Sequence, residues 1–404
     1  MNNTLNLIFS KYGKFSNTIR ILIIIQFLIS IVNGIISFLL IFYIRALGYS
    51  PIIYGIMTSI TGLVFLITIV PSGVISSRIG AKGMINLGII SSILSLLILV
   101  IFESIPLLII SSVFMGLSWS LSQPSFGSLL ATAASPEERN YAFSLNGFSN
   151  LIGASLGTAF SGYFPSIGQI IFLNTIFGYK LSFIISIFIL VFLTFLVKKI
   201  DINLKVEKQE KVKIPSNVKK TLIKLTLPAM LIGFGAGFVI PYFQLQFKFR
   251  FGVSIESISY IFALTDFIMA ILMLYIPFYA EKKGTLITIV VLWLLATLTL
   301  FLMPFISYLP MGFYMFSSLY IIRTILMNVA GPIQSSFEFS LIPKDFRMIT
   351  SSLLSLSWVG MNSLSAYLGG ILITISLNVP FYICTAFYLS SAIMYYIFFR
   401  NVKI

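Results

Sequence analysis

Apolar runs long enough to span a bilayer follow one another along almost the whole chain, and that repetition dictates what it can fold into. A helix needs about 20 largely apolar residues to cross the hydrocarbon core of a membrane. Twelve runs meet that requirement, at 20–44, 51–76, 83–102, 105–132, 140–164, 179–197, 222–246, 255–279, 285–303, 309–336, 348–376 and 379–399. Composition agrees: 58% of the 404 residues are hydrophobic and 9% are charged, against about 25% charged in a soluble domain. The first run is read as a retained span, because it is too long for a cleaved signal peptide and leads straight into a second run. The expected fold is all-α: a polytopic membrane protein of twelve transmembrane helices.

Charge placement tests that count. Basic residues gather in the loops on the cytoplasmic side of a membrane. With both termini inside, only Arg45, Lys180, Lys248 and Arg250 of the 26 basic residues fall outside, and Arg323 lies mid-span. The other 21 are inside, and removing one span would scramble the bias. The net charge of +15 therefore reads as membrane orientation, not as a nucleic-acid surface, because the basic residues punctuate apolar runs. The expected location is the cell membrane with both termini cytoplasmic.

The residue inventory excludes several chemistries. There is no histidine and one cysteine, Cys384, inside an apolar run. A disulfide framework, a Cys/His zinc site and an imidazole-dependent triad are all ruled out. No Gly-x-x-x-x-Gly-Lys-Ser/Thr run is present, which argues against a nucleotide-driven pump. An integral membrane enzyme is the rival from another class, but eleven acids and no histidine give it little to work with. No enzyme, cofactor or metal is expected.

The longest polar segment, Lys198 to Lys220, follows the sixth run and divides the chain into residues 1–200, a cytoplasmic linker 201–220, and residues 221–404. Its mixed Lys/Glu composition reads as a solvated connection, with contact to anionic lipid the alternative. The two halves also resemble each other at one offset. Pro124, Ser128, Arg139, Ser144, Leu145 and Gly162 recur 208 residues later as Pro332, Ser336, Arg347, Ser352, Leu353 and Gly370. Duplicated six-helix halves point to a secondary transporter with its site at the repeat interface.

Two loop motifs carry a family resemblance. Between runs two and three stands Gly73-Val74-Ile75-Ser76-Ser77-Arg78-Ile79-Gly80-Ala81-Lys82, and between runs eight and nine Pro277-Phe278-Tyr279-Ala280-Glu281-Lys282-Lys283-Gly284. Over essentially its whole length the chain resembles the major facilitator superfamily. Gly73, Arg78, Gly80 and Lys82 match the family's inner-loop signature, whereas Ser77 stands at its aspartate. Glu281, Lys282 and Gly284 keep an acid, a base and the glycine in the second copy. The resemblance implies that these charges bind neighbouring helix ends and act as inner gates, together with Arg139 and Arg347. Ser77 is expected to cap span three, and Glu338 is the acid expected to meet Lys282 or Arg347. The alternative is that these residues only fix topology.

Polar stripes run through several spans at helical spacing: Gln26, Ser30, Asn33 and Ser37 in the first, Asn146, Asn150, Gly153 and Gly157 in the fifth, and Ser355, Trp358, Asn362, Ser365 and Gly369 in the eleventh. Polar groups in hydrocarbon should face other helices or a watery cavity. Gln26, Asn33, Asn146, Asn150, Asn328, Trp358 and Asn362 are taken as cavity candidates, and Gly153 with Gly157 as close helix packing. Asp266 and Arg323 are the deepest charges, each central in its span. A charge at the bilayer centre costs at least about 2.5–3.5 kcal/mol, so each should have a partner, and each is a candidate partner for the other. They read either as a proton site with its counter-ion, or as a buried structural pair.

Antiporter features are mixed. The arginine that the family's proton-antiporter signature places nine residues before Pro124 is Met115, while Arg323 holds that slot before Pro332. Gly153 to Gly162 resembles the antiporter motif of span five, with Thr158 in place of its proline. The expectation is a proton-coupled secondary transporter working by alternating access, with export of amphipathic compounds favoured and uptake of a sugar, organic acid or other nutrient the alternative. Its partners would be a small-molecule substrate, protons and the lipid bilayer, with no nucleic acid, and the chain is expected to be a monomer.

Overall fold

The computed structural model describes residues 15–135, 138–200, 215–280, 285–343 and 346–402. These are helical and contain no strand, as lipid requires: a helix satisfies every interior backbone group within itself. After α1 (Asn17–Ala46), a continuous stretch from Pro51 to Ile101 breaks at Gly80, φ 77° and ψ 164°. Glycine enters that region without a Cβ penalty. The stretch supplies two spans, α2 (Pro51–Gly73) and α3 (Arg78–Ile101), with the break in the first turn of α3. Then come α4 (Ile105–Ala133), α5 (Arg139–Ser161), α6 (Phe164–Phe172), α7 (Thr175–Lys198) and α8 (Ser216–Val239). A 3-10 turn at Ile240–Tyr242, where Pro241 supplies no N–H, leads into α9 (Phe243–Phe251). The chain continues through α10 (Ile255–Ala280), α11 (Thr285–Ile306), α12 (Gly312–Ser340), α13 (Arg347–Ile375) and α14 (Val379–Phe399).

Among the described residues eleven helices are long and apolar enough to cross a membrane, α8 and α9 together forming one of them. The sequence count was twelve. The difference is α5, which has the length, 23 residues, but is diluted by Asn146, Asn150 and its serines and glycines. Its polar and small residues are spent on neighbours: an added Cβ at Gly153 or Gly157 would collide with the α1 carbonyls of Phe27 or Ile31. The short α6 was not anticipated. It folds back on α7, with Gly168 lying against Gly178. The repeat is visible in the helix bounds, since Ile105–Ala133 moved on by 208 residues becomes 313–341, against Gly312–Ser340 for α12.

Contacts divide the chain into two compact units. The first comprises Met1–Leu39, Ile67–Gln209 and Phe262–Leu274; the second comprises Leu40–Leu66, Glu210–Ile261 and Tyr275–Ile404. In the first, hydroxyls tie helices together: Thr68 to Ser120 at 2.7 Å, Ser92 to Ser118 at 2.7 Å, and Ser95 to the Ser111 carbonyl at 2.8 Å. In lipid such bonds and close backbone approach replace the hydrophobic drive between helices. Lys82 donates to the Ile200 carbonyl just beyond the end of α7, where a cation meets unpaired carbonyls and the negative end of the helix dipole. The segment of α10 in this unit is joined to α5 by the Ser155 hydroxyl, which donates to the Ala263 carbonyl at 2.7 Å.

In the second unit the start of α2 is sewn to α13. The Ser59 hydroxyl donates to the Ser363 carbonyl at 2.5 Å and accepts from the Tyr367 N–H at 3.1 Å. Those two backbone groups are i and i+4 on α13, so the side chain inserts into the helix's own hydrogen-bond ladder. Gly62 makes the approach feasible, because a Cβ there would overlap Ser363. Arg250, at the end of α9, fastens two loops: it donates to the Ser307 hydroxyl at 2.9 Å, the Leu377 carbonyl at 2.6 Å and Asn378 Oδ1 at 2.7 Å.

Candidate functional site

Residues of α8, α11, α12, α13 and α14 in the second unit line a cavity of about 580 Å³. Small-molecule sites usually measure about 300–1,000 Å³. One wall is a face of α12, along which Arg323, Met327, Gly331, Gln334 and Glu338 recur at intervals of three or four residues. Trp293 and Trp358 supply aromatic surface from α11 and α13, and Ser351 and Ser355 supply hydroxyls. The space beside Gly331 is open, since a Cβ there would meet nothing within 4 Å.

Arg323 is 6% exposed and, among the described residues, is the single cation in the cavity wall. One guanidinium nitrogen donates to the Tyr388 hydroxyl at 2.7 Å. The rings of Phe243 and Tyr388 lie 5.8 and 5.6 Å from its central carbon, within reach of cation–π attraction. Its Nε is buried with no hydrogen-bond partner among the described residues. A buried unmet donor costs about 1–3 kcal/mol, so this guanidinium has capacity that its protein neighbours leave unused. Sequence reasoning offered Asp266 as the partner of Arg323, and the structure corrects this. The arginine is held by Tyr388, and the single ion pair among the described residues is Lys180 with Glu103, 2.6 Å apart. Asp266 is half-buried in the first unit, and no hydrogen bond or ion pair from a described residue reaches it.

Glu338 also departs from expectation. It is 3% exposed and accepts from Gln334 Nε2 at 2.7 Å, an i, i+4 pair on one helix face, and it lies in the cavity wall. Arg347, its expected partner, is half-buried and its Nε has no partner among the described residues. Lys282, the other expected partner, lies outside the described residues with Glu281 and Gly284. Gly73, Arg78 and Arg139 are exposed, and nothing is described of the Ser77 side chain that was expected to cap span three.

Of the remaining cavity candidates, Asn328 and Trp358 join Arg323 in the large cavity. Asn328 uses its amide on the Thr324 carbonyl at 2.8 Å. Asn33 lines a small cavity of about 30 Å³ in the first unit, with Ser92, Ser118, Trp119 and Ser122. Gln26 is buried and donates to Ser30 at 3.1 Å. Asn146 has a buried Oδ1 without a partner among the described residues, and Asn150 and Asn362 are half-buried outside both cavities. Tyr388, Phe243, Trp293 and Gln334 were missed. The spacing of Gln334 from Glu338 was a readable signal, but nothing local marks an aromatic residue as the support of an arginine on another helix.

A family model described as the Major Facilitator Superfamily matches residues 22–366. The chain belongs to the major facilitator superfamily. Solved structures agree on the fold of this superfamily member. The nucleoside transporter NupG, in mutant form, matches with a TM-score of 0.76 at 12% identity over 95% of this chain and 100% of that one. A bacterial homologue of the human lysosomal transporter Spinster, inward-facing and occupied, matches with a TM-score of 0.75 at 16% identity over 95% and 96%. A bacterial homologue of the iron transporter ferroportin matches with a TM-score of 0.74 at 14% identity over 94% and 97%. At such identities the likeness shows the fold alone. No curated protein sequence matches the chain.

Proposed function

We propose that this superfamily member is a secondary active transporter that carries a small molecule across the cell membrane by alternating access, with its substrate bound in the cavity around Arg323. The observation that carries this reading is a buried cation with an unmet donor in a cavity walled by membrane-spanning helices. A charge at that depth has to be solvated by something, and intramembrane ionisable groups mark substrate and ion pathways. In this reading residues 1–200 and 221–404 move as the two rigid bodies, both termini are cytoplasmic, and the loops near Arg78 and Lys282 act as inner gates. Asp266, a half-buried carboxylate with no described partner, carries the coupling proton.

The α5 motif from Gly153 to Gly162 favours export. Uptake is the second reading, favoured by a wall that carries both Arg323 and Glu338 and so suits a hydrophilic solute better than an apolar one. Gly331→Leu tests the site itself. The side chain enters open space, so the fold should be kept and substrate flux into proteoliposomes should fall at least about tenfold through lost volume. Unchanged flux with a correctly folded variant would place the route elsewhere.

A further inference from the structure

We propose that this cavity selects an amphipathic monocarboxylate, its carboxylate on Arg323 and its aromatic or aliphatic body against Trp293, Trp358 and Met327. The inference rests on the reading of the cavity as the transport site and adds the chemistry of the solute. A guanidinium carries five N–H donors in a planar fork that fits a carboxylate. One of them is engaged by Tyr388 at 2.7 Å, and Nε is buried without a partner among the described residues. The Phe243 and Tyr388 rings pack against the group, which lies in the cavity wall.

Charge count sets the valence. Among the described residues the wall contains one cation, Arg323, and one acid, Glu338. They are 15 positions apart on α12, which separates them by about 22 Å along the axis. A dianion such as a phosphate monoester finds no second cation beside Arg323. A cationic solute meets repulsion there. A monocarboxylate satisfies the arginine, and the tryptophans and Met327 then bury the rest of it.

The test uses the full-length protein in nanodiscs with tritiated 4-phenylbutyrate as probe. Competitors are ω-phenyl carboxylates from phenylacetate to 6-phenylhexanoate, each beside its amide, its amine and its phosphonate. At least one carboxylate should bind saturably, with its three analogues weaker by about tenfold or more, as expected for loss of a charge-assisted bond. Arg323→Gln should erase that preference. Failure of every carboxylate to bind, or equal binding of an amide, amine or phosphonate, overturns the proposal. Should Arg323→Gln misfold, the unmodified protein's ranking of the panel decides alone. Flux in liposomes separates the two claims. Arg323-dependent binding of carboxylates without flux refutes transport and leaves the ligand class standing. Flux of an amine or amide that survives Arg323→Gln refutes the class and leaves transport standing.

Discussion

Helices α4 and α12 occupy the same place in the repeat and differ in the charge and the cavity beside them. Both carry a proline at the shared position, Pro124 and Pro332, and nine residues earlier α4 has Met115 where α12 has Arg323. Around α4 the polar groups are serines that bond to neighbouring helices, and the cavity beside it measures about 30 Å³. Around α12 the polar groups include a buried arginine and a buried glutamate, and the cavity measures about 580 Å³. The duplicated scaffold supplies the helix and its place; charge and cavity volume differ at a few positions. Hydroxyls can be satisfied by the next helix. A guanidinium has five donors, and at Arg323 the described neighbours leave Nε unmet.

The comparison can be broken by exchanging the two residues. Arg323→Met gives α12 the residue of α4 and should cut substrate flux by about 30-fold or more, as expected when one partner of a buried charged contact is removed. Counterflow in proteoliposomes measures this, and near-normal rates would mean that the arginine is scaffolding. The reverse exchange, Met115→Arg, inserts a charge at a half-buried position of a membrane-spanning helix. It should destabilise by at least about 2.5–3.5 kcal/mol, seen as a lowered Tm and poor yield. A fully stable variant would reveal room for a charge in the first unit. Asp266→Asn sharpens the contrast between the buried charges: accumulation against a gradient should be lost while downhill exchange persists, and retained proton-driven accumulation would remove Asp266 from coupling.

Smaller effects are expected where α2 meets α13. Gly62→Val forces a side chain into Ser363 and should cost about 1–3 kcal/mol through overpacking, readable as a drop in Tm. Ser59→Ala should cost only about 0.5–1.5 kcal/mol, the usual net value of one hydrogen bond. The Ser363 carbonyl and Tyr367 N–H can pair with each other once the hydroxyl is gone, so a larger loss would show that α13 cannot reclose its own ladder.

The sequence determined the class of molecule by itself. Without water in the hydrocarbon core, a chain of apolar runs has helices as its way of pairing its backbone, so the spans could be read from composition and length. The gap between the second and third runs, in which Gly80 falls, and the boundaries of α4, α13 and α14 were legible for the same reason. The repeat was legible because proline and arginine positions survive as identities. Partnership was not legible. Arg323 and Asp266 both stand mid-span, and spacing along the chain carries no information about which side chain on another helix reaches a charge. Tertiary packing assigned Arg323 to Tyr388 and Phe243, set Glu338 in the wall of the cavity, and set Ser59 into the backbone of α13. Those outcomes depend on which helix faces touch and how closely small residues let them approach, a property of the packed helices and not of any one of them.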